Sequence, residues 1–266
     1  MNALVRNNVV VSGSGEQALV FVHGFGCDQH MWRLVAPAFE DRYRVVMLDL
    51  VGAGKSDLKA YDPARYRNLD AHAADILEVL HALDLEQVVF VGHSVSAMIG
   101  VLAAIAEPAR FMRLVLVAPS PRYIDDVDYS GGFARADIEE LLDTMDSNYL
   151  GWADQMAPMV MKHADRPELA GELKASFCRT DPTIARHFAR VTFLTDSRAD
   201  LPHVRTPALI LQCAYDSLAP VSVGEYLRRH LPGSTLAVLD TSGHCPHLSA
   251  PQATIAAIDD FLLGYR

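Results

Sequence analysis

The stretch VVFVGHSVSAMIGVLAAIA, residues 88–106, decides the fold of this chain. It begins as a β-branched run typical of a buried strand, turns at Gly92-His93-Ser94-Val95-Ser96, and continues as an apolar helical pattern. A serine on such a turn is lifted above the sheet beside a helix N-terminus, and it matches G-x-S-x-G except for the serine at position 96. The alternative is that Ser94 only caps the helix, but a capping residue would not require glycine at position 92. The stretch therefore predicts that Ser94 is a nucleophile.

Apolar runs of the same kind recur along the chain, and helical patterns separate them. The strand-like runs lie at 18–24, 43–50, 87–92, 112–119, 207–213 and 234–240, and the helical patterns at 68–83, 94–106 and 254–263. Strands this apolar are covered on both faces, which is typical of parallel sheets. Their alternation with helices predicts an α/β fold built on a mainly parallel, doubly wound sheet.

The alternation stops near Pro119 and resumes near Pro207. The residues between them show helical patterns and no convincing strand, and residues 119–200 hold 9 Lys/Arg and 15 Asp/Glu. We therefore predict a core formed by residues 1–118 and 207–266, with an all-helical insertion at 119–206. Because open α/β sheets bind ligands at the carboxyl edge of their strands, we interpret the insertion as a lid over that edge. A helical decoration without any role in access is the alternative.

Composition and charge exclude several classes of protein. The chain has 266 residues and a net charge of −10, which argues against nucleic-acid binding because no overall excess of basic residues exists. It contains no run of about 18 apolar residues, and its N-terminus lacks the apolar core of a signal peptide. Four widely spaced cysteines favour reduced thiols over a disulfide framework. These features predict a cytoplasmic protein without membrane contact.

A nucleophilic serine needs a histidine base and a carboxylate that orients it, and in this fold they follow in the order Ser, Asp, His. Asp216 follows the run at 207–213, and His244 follows the run at 234–240. We therefore predict the triad Ser94, Asp216 and His244. The alternatives that these patterns leave open are His247 as the base and, as the acid, Asp49, Asp57 or Asp240.

The glycine-rich turn His23-Gly24-Phe25-Gly26 follows the first long apolar run. In this fold an amide of that loop and the amide after the nucleophile form the oxyanion hole, which predicts Phe25 and Val95 as donors. The run Gly52-Ala53-Gly54-Lys55-Ser56 lacks the first glycine of a phosphate-binding loop, so we predict no nucleotide site. Among the cysteines and histidines near the predicted site, only Cys245 and its neighbours have tight zinc-ligand spacing. Because all of these residues fall in the loops of the predicted catalytic site, we assign no metal.

Taken together, these motifs resemble the α/β-hydrolases over nearly the whole chain. Within them the chain resembles the group of the bacterial sigma-B regulator RsbQ and the plant karrikin and strigolactone receptors. The residues that carry the resemblance are His23-Gly24-Phe25-Gly26, Asp28-Gln29, Gly92-His93-Ser94-Val95-Ser96-Ala97-Met98, Ser120-Pro121-Arg122-Tyr123, Asp128-Tyr129-Ser130-Gly131-Gly132-Phe133 and Gly243-His244 with Pro246-His247-Leu248-Ser249. Ser96 replaces the last glycine of the general G-x-S-x-G signature, and this group has serine at that position.

The resemblance implies a V-shaped lid of four helices over an apolar pocket. The pocket positions that it implies are Phe25, Val95, Tyr123, Phe133, Trp152 and Met156. Methionine at position 156 departs from the phenylalanine expected there and makes the pocket more adaptable.

The function implied by the resemblance is slow, cofactor-free hydrolysis of a small apolar ester or lactone, with butenolides as the plant examples. It also implies a protein partner, such as a phosphatase for the bacterial regulator. Two hypotheses for the function of this protein therefore remain: a serine hydrolase, and a ligand-sensing regulator whose hydrolysis is vestigial. A perhydrolase or a C–C hydrolase on the same fold also fits these residues.

Overall fold

A seven-stranded sheet forms the centre of the protein in a computed structural model that describes residues 2–264. Its strands are β1 Val10–Ser12, β2 Ala18–Val22, β3 Arg44–Leu48, β4 Val88–His93, β5 Phe111–Val117, β6 Ala208–Tyr215 and β7 Ser234–Ser242. The order across the sheet is β1-β3-β2-β4-β5-β6-β7, and only β1 is antiparallel to its neighbour. The predicted mainly parallel sheet is confirmed. Strand β1 was not predicted, because its three half-exposed edge residues form too short a pattern.

Helices cover both faces of this sheet. Within residues 2–264 they are α1 Ala3–Arg6, α2 Asp70–Ala82, α3 Val95–Ala106, α4 Arg135–Ser147, α5 Tyr149–Met161, α6 Pro167–Arg179, α7 Pro182–Leu194, α8 Val221–His230, α9 Pro246–Ser249 and α10 Pro251–Leu263. Short 3-10 turns lie at Gln29–Trp32, Ala36–Phe39, Leu58–Ala60, Pro108–Arg110 and Leu201–His203. None of these helices is both long and apolar enough to span a bilayer.

The side chains of β2 show why helices must lie on both faces. All five residues of this strand are buried. Because successive side chains of a strand point to opposite faces, Val20 and Val22 join the core formed with α2, α3 and α8. Phe21 points the other way and packs with Trp32 in the core that includes α10. The sheet is therefore doubly wound, as predicted.

Four helices, α4 to α7, fall between β5 and β6 and form an apolar cluster of their own. Trp152, Phe177 and Phe193 belong to it, and so do Cys27 and Leu218 from loops that follow core strands. The helices therefore pack over the edge at which β2 and β6 end. Residues 119–134 form no helix and are held by the isolated bridges Ile124↔Phe133 and Asp126↔Tyr129.

Candidate active site

Ser94 lies on a sharp turn between β4 and α3. Its backbone has φ 56° and ψ −122°, a conformation that costs a non-glycine residue about 1–3 kcal/mol. The Ser94 amide donates to the carbonyl of Val117 at 2.8 Å. A Cβ at position 92 would lie 2.5 Å from the Ser96 carbonyl oxygen, so only glycine allows this close approach. The turn therefore holds Ser94 where the sequence pattern predicts it.

His244 bridges Ser94 and Asp216. Its Nε2 lies 2.8 Å from Ser94 Oγ, and its Nδ1 lies 2.9 Å from Oδ2 and 3.0 Å from Oδ1 of Asp216. An ionised carboxylate only accepts, so Nδ1 carries the hydrogen and the lone pair of Nε2 faces the serine hydroxyl. All three side chains are buried. This arrangement can take a proton from Ser94.

The loops that carry the acid and the histidine are fixed by backbone hydrogen bonds. Oδ1 of Asp216 accepts the amides of Leu218 at 2.8 Å and Ala219 at 3.1 Å. The His244 amide donates to the carbonyl of Val160, at the end of α5, at 2.8 Å. Gly243 has φ +78°, and a Cβ there would collide with the last turn of α5. The histidine loop is thus tied to the helical insertion.

The alternative triad members lie elsewhere. His247 is buried against Trp32, with ring centroids 4.7 Å apart, and no hydrogen bond joins it to the serine within residues 2–264. Asp49 accepts the backbone amides of Gln29 and Lys55 and thereby holds the run at 52–56 as a structural turn. Asp240 is exposed. The structure therefore brings together the predicted three residues and not these.

The glycine-rich loop at 23–26 lies against Ser94. A Cβ at position 24 would lie 3.2 Å from Ser94 Cβ. Within residues 2–264, the amides of Phe25 and Val95 have no hydrogen-bond acceptor, although both residues are largely buried. Two unpaired amides beside a serine can stabilise a developing oxyanion, and each such donor contributes roughly 3 kcal/mol.

A small cavity adjoins Ser94 and His244. Its volume is about 30 Å³, and by this measure one water needs about 10–15 Å³. Residues that line it are Phe25, Cys27, His93, Ser94, Tyr123, Trp152, Met156, Val160, Leu173, Phe177, Thr192, Phe193, Leu218, His244 and Cys245. The closed protein therefore has room for water but not for an ester substrate.

The structure separates the predicted pocket residues into two groups. Phe25, Tyr123, Trp152 and Met156 line the cavity at Ser94, whereas Phe133 lines a second, more open cavity of about 250 Å³ between α4 and α5. Trp152 and Met156 line both cavities and form the wall between them. Val95 is buried beside the serine but does not line the cavity at Ser94.

Sequence reasoning missed part of the cavity. Phe177 and Phe193 pack around Phe25, with ring centroids 6.4 and 5.9 Å from it. Their only signal was the apolar face of a helix, which any packed helix shows. Tyr123 was predicted as a pocket residue, but its contact with Ser94 was not: its hydroxyl lies 3.3 Å from Ser94 Oγ. Burial raises the pKa of the Tyr123 hydroxyl, which therefore stays protonated and able to donate.

Known proteins share both the sequence and the fold. Residues 19–258 match the profile described as the alpha/beta hydrolase family. The chain is 42% identical over 251 residues to strigolactone esterase D14 of Arabidopsis thaliana, covering 94% of each chain. It is 40% identical to the karrikin insensitive 2 receptor CA of Petunia hybrida, covering 95% of this chain and 94% of that one. A solved structure of a hydrolase from Oleispira antarctica is 42% identical, with a TM-score of 0.96, covering 98% of this chain and 96% of the other.

Proposed function

Since this chain belongs to the alpha/beta hydrolase family, we propose that Ser94, His244 and Asp216 are the catalytic triad of a serine hydrolase acting on small neutral esters or lactones. The observation that carries the proposal is the short hydrogen-bonded line from Asp216 through His244 to Ser94. The similarity to a strigolactone esterase supports an ester or lactone substrate, including a butenolide-like one.

The reaction follows from the positions of these groups. Ser94 Oγ attacks the carbonyl carbon while Nε2 of His244 takes its proton, and the negative charge of Asp216 stabilises the imidazolium. The amides of Phe25 and Val95 donate to the oxyanion. His244 then protonates the leaving alkoxide, which leaves an acyl group on Ser94. Water, deprotonated by His244, attacks that acyl group. His244 then gives the proton to Ser94 Oγ as the bond to the acyl carbon breaks, which releases the carboxylic acid and restores the serine.

We propose that residues 119–206 act as a lid over a core of residues 1–118 and 207–266. The catalytic cavity holds only about 30 Å³, so substrate binding requires movement of the side chains above it. Trp152 and Met156 separate this cavity from the outer one, in which Phe133 lies. The unbranched Met156 adapts its shape more readily than an aromatic ring would. Movement of this wall would open a path from the outer cavity to Ser94.

Replacing Met156 with alanine should therefore widen the site. We expect kcat/KM for a butyrate ester to rise about tenfold relative to the matching acetate ester, because the missing side chain leaves space for the longer acyl group. Met159→Ala is the matched control: Met159 lies on the same helix, is 41% exposed and lines only the outer cavity. Steady-state rates with both esters measure the change. An unaltered butyrate-to-acetate ratio in Met156→Ala would contradict the proposed wall.

The charge of the lid predicts a preference among substrates. Residues 119–200 carry 15 Asp/Glu against 9 Lys/Arg. Asp137 and Glu140 line the outer cavity itself. Adding a carboxylate to the alcohol part of a good ester should therefore lower kcat/KM several-fold at low salt, and added salt should reduce the difference by screening. The measurement is a matched series of neutral and carboxylated short esters. A preference for the carboxylated esters would show that Asp137, Glu140 and the other acidic residues of the insertion do not repel anionic substrates from the site.

A ligand-sensing regulator is the second candidate function, and one observation favours it. The chain is about 40% identical to a protein named as a karrikin receptor. A regulator of this type would bind a small ligand under the lid and then engage a protein partner, such as a phosphatase regulator. Turnover separates the two functions: an enzyme converts many equivalents of ester, whereas a sensor reacts about once and shifts its Tm as it does so. Fast multiple turnover would exclude the sensor.

A further inference from the structure

Three buried side chains meet beside the triad without taking part in it. They are His93, which precedes the nucleophile, and Cys245 and His247, which follow the catalytic histidine. One ligand atom from each lies within 4.8 Å of the others. His93 ends β4, whereas Cys245 and His247 stand at the start of α9. Residues 152 positions apart therefore form a compact set of two imidazoles and a thiol.

The imidazoles have free nitrogen atoms. Nε2 of His93 lies 2.9 Å from the His244 carbonyl oxygen, which only accepts, so Nε2 carries the hydrogen and Nδ1 keeps its lone pair. Within residues 2–264, Nδ1 of His93 and Nδ1 of His247 have no hydrogen-bond partner. A Cβ at position 24 would lie only 2.5 Å from His93 Nδ1, so glycine at this position lets the imidazole pack against the loop at 23–26.

We propose that His93, Cys245 and His247 form an inhibitory binding site for a divalent cation of the Zn²⁺ class. Two imidazoles and a thiolate are ligands that zinc prefers, at about 2.0–2.1 Å for nitrogen and about 2.3 Å for sulfur. A zinc-binding histidine commonly donates its second ring hydrogen to a backbone carbonyl, as His93 does here. On binding, the ion replaces the thiol proton of Cys245, which passes to water.

The ion can reach these ligands through the catalytic cavity. His93 and Cys245 line that cavity together with Ser94. When the ion draws its three ligands together, His244 is displaced with them. Cys245 is its neighbour in the chain, and His93 donates a hydrogen bond to its carbonyl oxygen. The 2.8 Å contact of His244 with Ser94 is then lost. Binding therefore inhibits hydrolysis, a consequence that rests on the proposed function, whereas binding itself does not.

The binding test uses Co²⁺ and Cd²⁺ as spectroscopic probes of the full chain carrying Cys178→Ser, because Cys178 is the exposed thiol and would compete. We expect one equivalent to bind with a thiolate-to-metal charge-transfer band. His247→Phe should weaken binding at least tenfold, and Cys245→Ala should abolish the band. Two control variants leave all three proposed ligands in place. His230 is exposed on α8, so His230→Phe should leave metal binding unchanged. Cys27 lines the same cavity but is not a proposed ligand, so Cys27→Ala should retain the charge-transfer band.

Inhibition is measured separately, with Zn²⁺ and a neutral ester. Half-inhibition should occur at the same Zn²⁺ concentration that displaces Co²⁺ from the site. No charge-transfer band, or a band lost in Cys27→Ala but kept in Cys245→Ala, overturns the proposal, whatever the enzyme activity. A band without inhibition overturns the inhibitory role. If the protein hydrolyses no ester, the proposed function fails but the band still decides the site. If His247→Phe does not fold, Cys245→Ala and Cys27→Ala decide it.

Discussion

Ser94→Ala is expected to lower the hydrolysis of p-nitrophenyl acetate by about 10⁴- to 10⁶-fold, the range seen when a single triad residue is removed. The alanine lacks the oxygen that lies 2.8 Å from His244 Nε2, so no acyl-enzyme can form. A serine-directed phosphonate should add its mass to the wild-type chain and not to the variant. Rates and intact-protein mass spectrometry check both expectations.

The control for this substitution is Ser147→Ala. Ser147 ends α4, is exposed, and bonds only to the Thr144 carbonyl within the described chain, so its rate should match the wild type. The Tm of Ser94→Ala should stay close to that of the wild type, because only a buried hydroxyl is removed. If more than a tenth of the activity survives, Ser94 is not the nucleophile.

Asp216→Asn should lower kcat by about 10⁴-fold, as the corresponding change does in other Ser-His-Asp enzymes. The asparagine carbonyl can keep the bonds that Oδ1 makes to the amides of Leu218 and Ala219. Its amino group then takes the place of Oδ2 and faces Nδ1 of His244. That contact favours the tautomer with hydrogen on Nε2, which cannot accept the serine proton.

The expected signature is a large loss of rate in a folded protein. Thermal unfolding should show a Tm near that of the wild type, because the side-chain volume is unchanged. Asp240→Asn is the matched control: Asp240 is exposed on β7, so its rate should be unaltered. If Asp240→Asn and not Asp216→Asn causes the large loss of kcat, Asp216 does not orient the histidine.

The helical insertion and the loop that carries His244 are physically connected. The Val160 carbonyl at the end of α5 accepts the His244 amide and, at 3.3 Å, the Ser217 hydroxyl. The same helix carries Trp152 and Met156, which wall the cavity. A ligand that displaces this wall therefore acts on the helix that holds the histidine loop. Such a link could serve slow hydrolysis and ligand sensing equally well.

Local patterns in the sequence determined the sheet and the side chains that meet at its edge. Apolar runs such as 18–22 and 88–93 can only be buried on both faces, so they predict parallel strands. The parallel strands end at one edge, and residues that follow them, Ser94, Asp216 and His244, therefore meet there. These placements follow from the sequence alone, because strand direction puts the residue after each strand at that edge.

Only the tertiary structure decided what surrounds Ser94, Asp216 and His244. The closing of the cavity, the placement of Phe133 in the outer pocket, and the 3.3 Å contact of Tyr123 with Ser94 depend on how the helices of the insertion pack. The meeting of His93 with Cys245 and His247 depends on the packing of separate loops. The physical reason is that an apolar helical stripe specifies that a face is buried but not which side chains it meets, and those contacts form only when distant segments pack together.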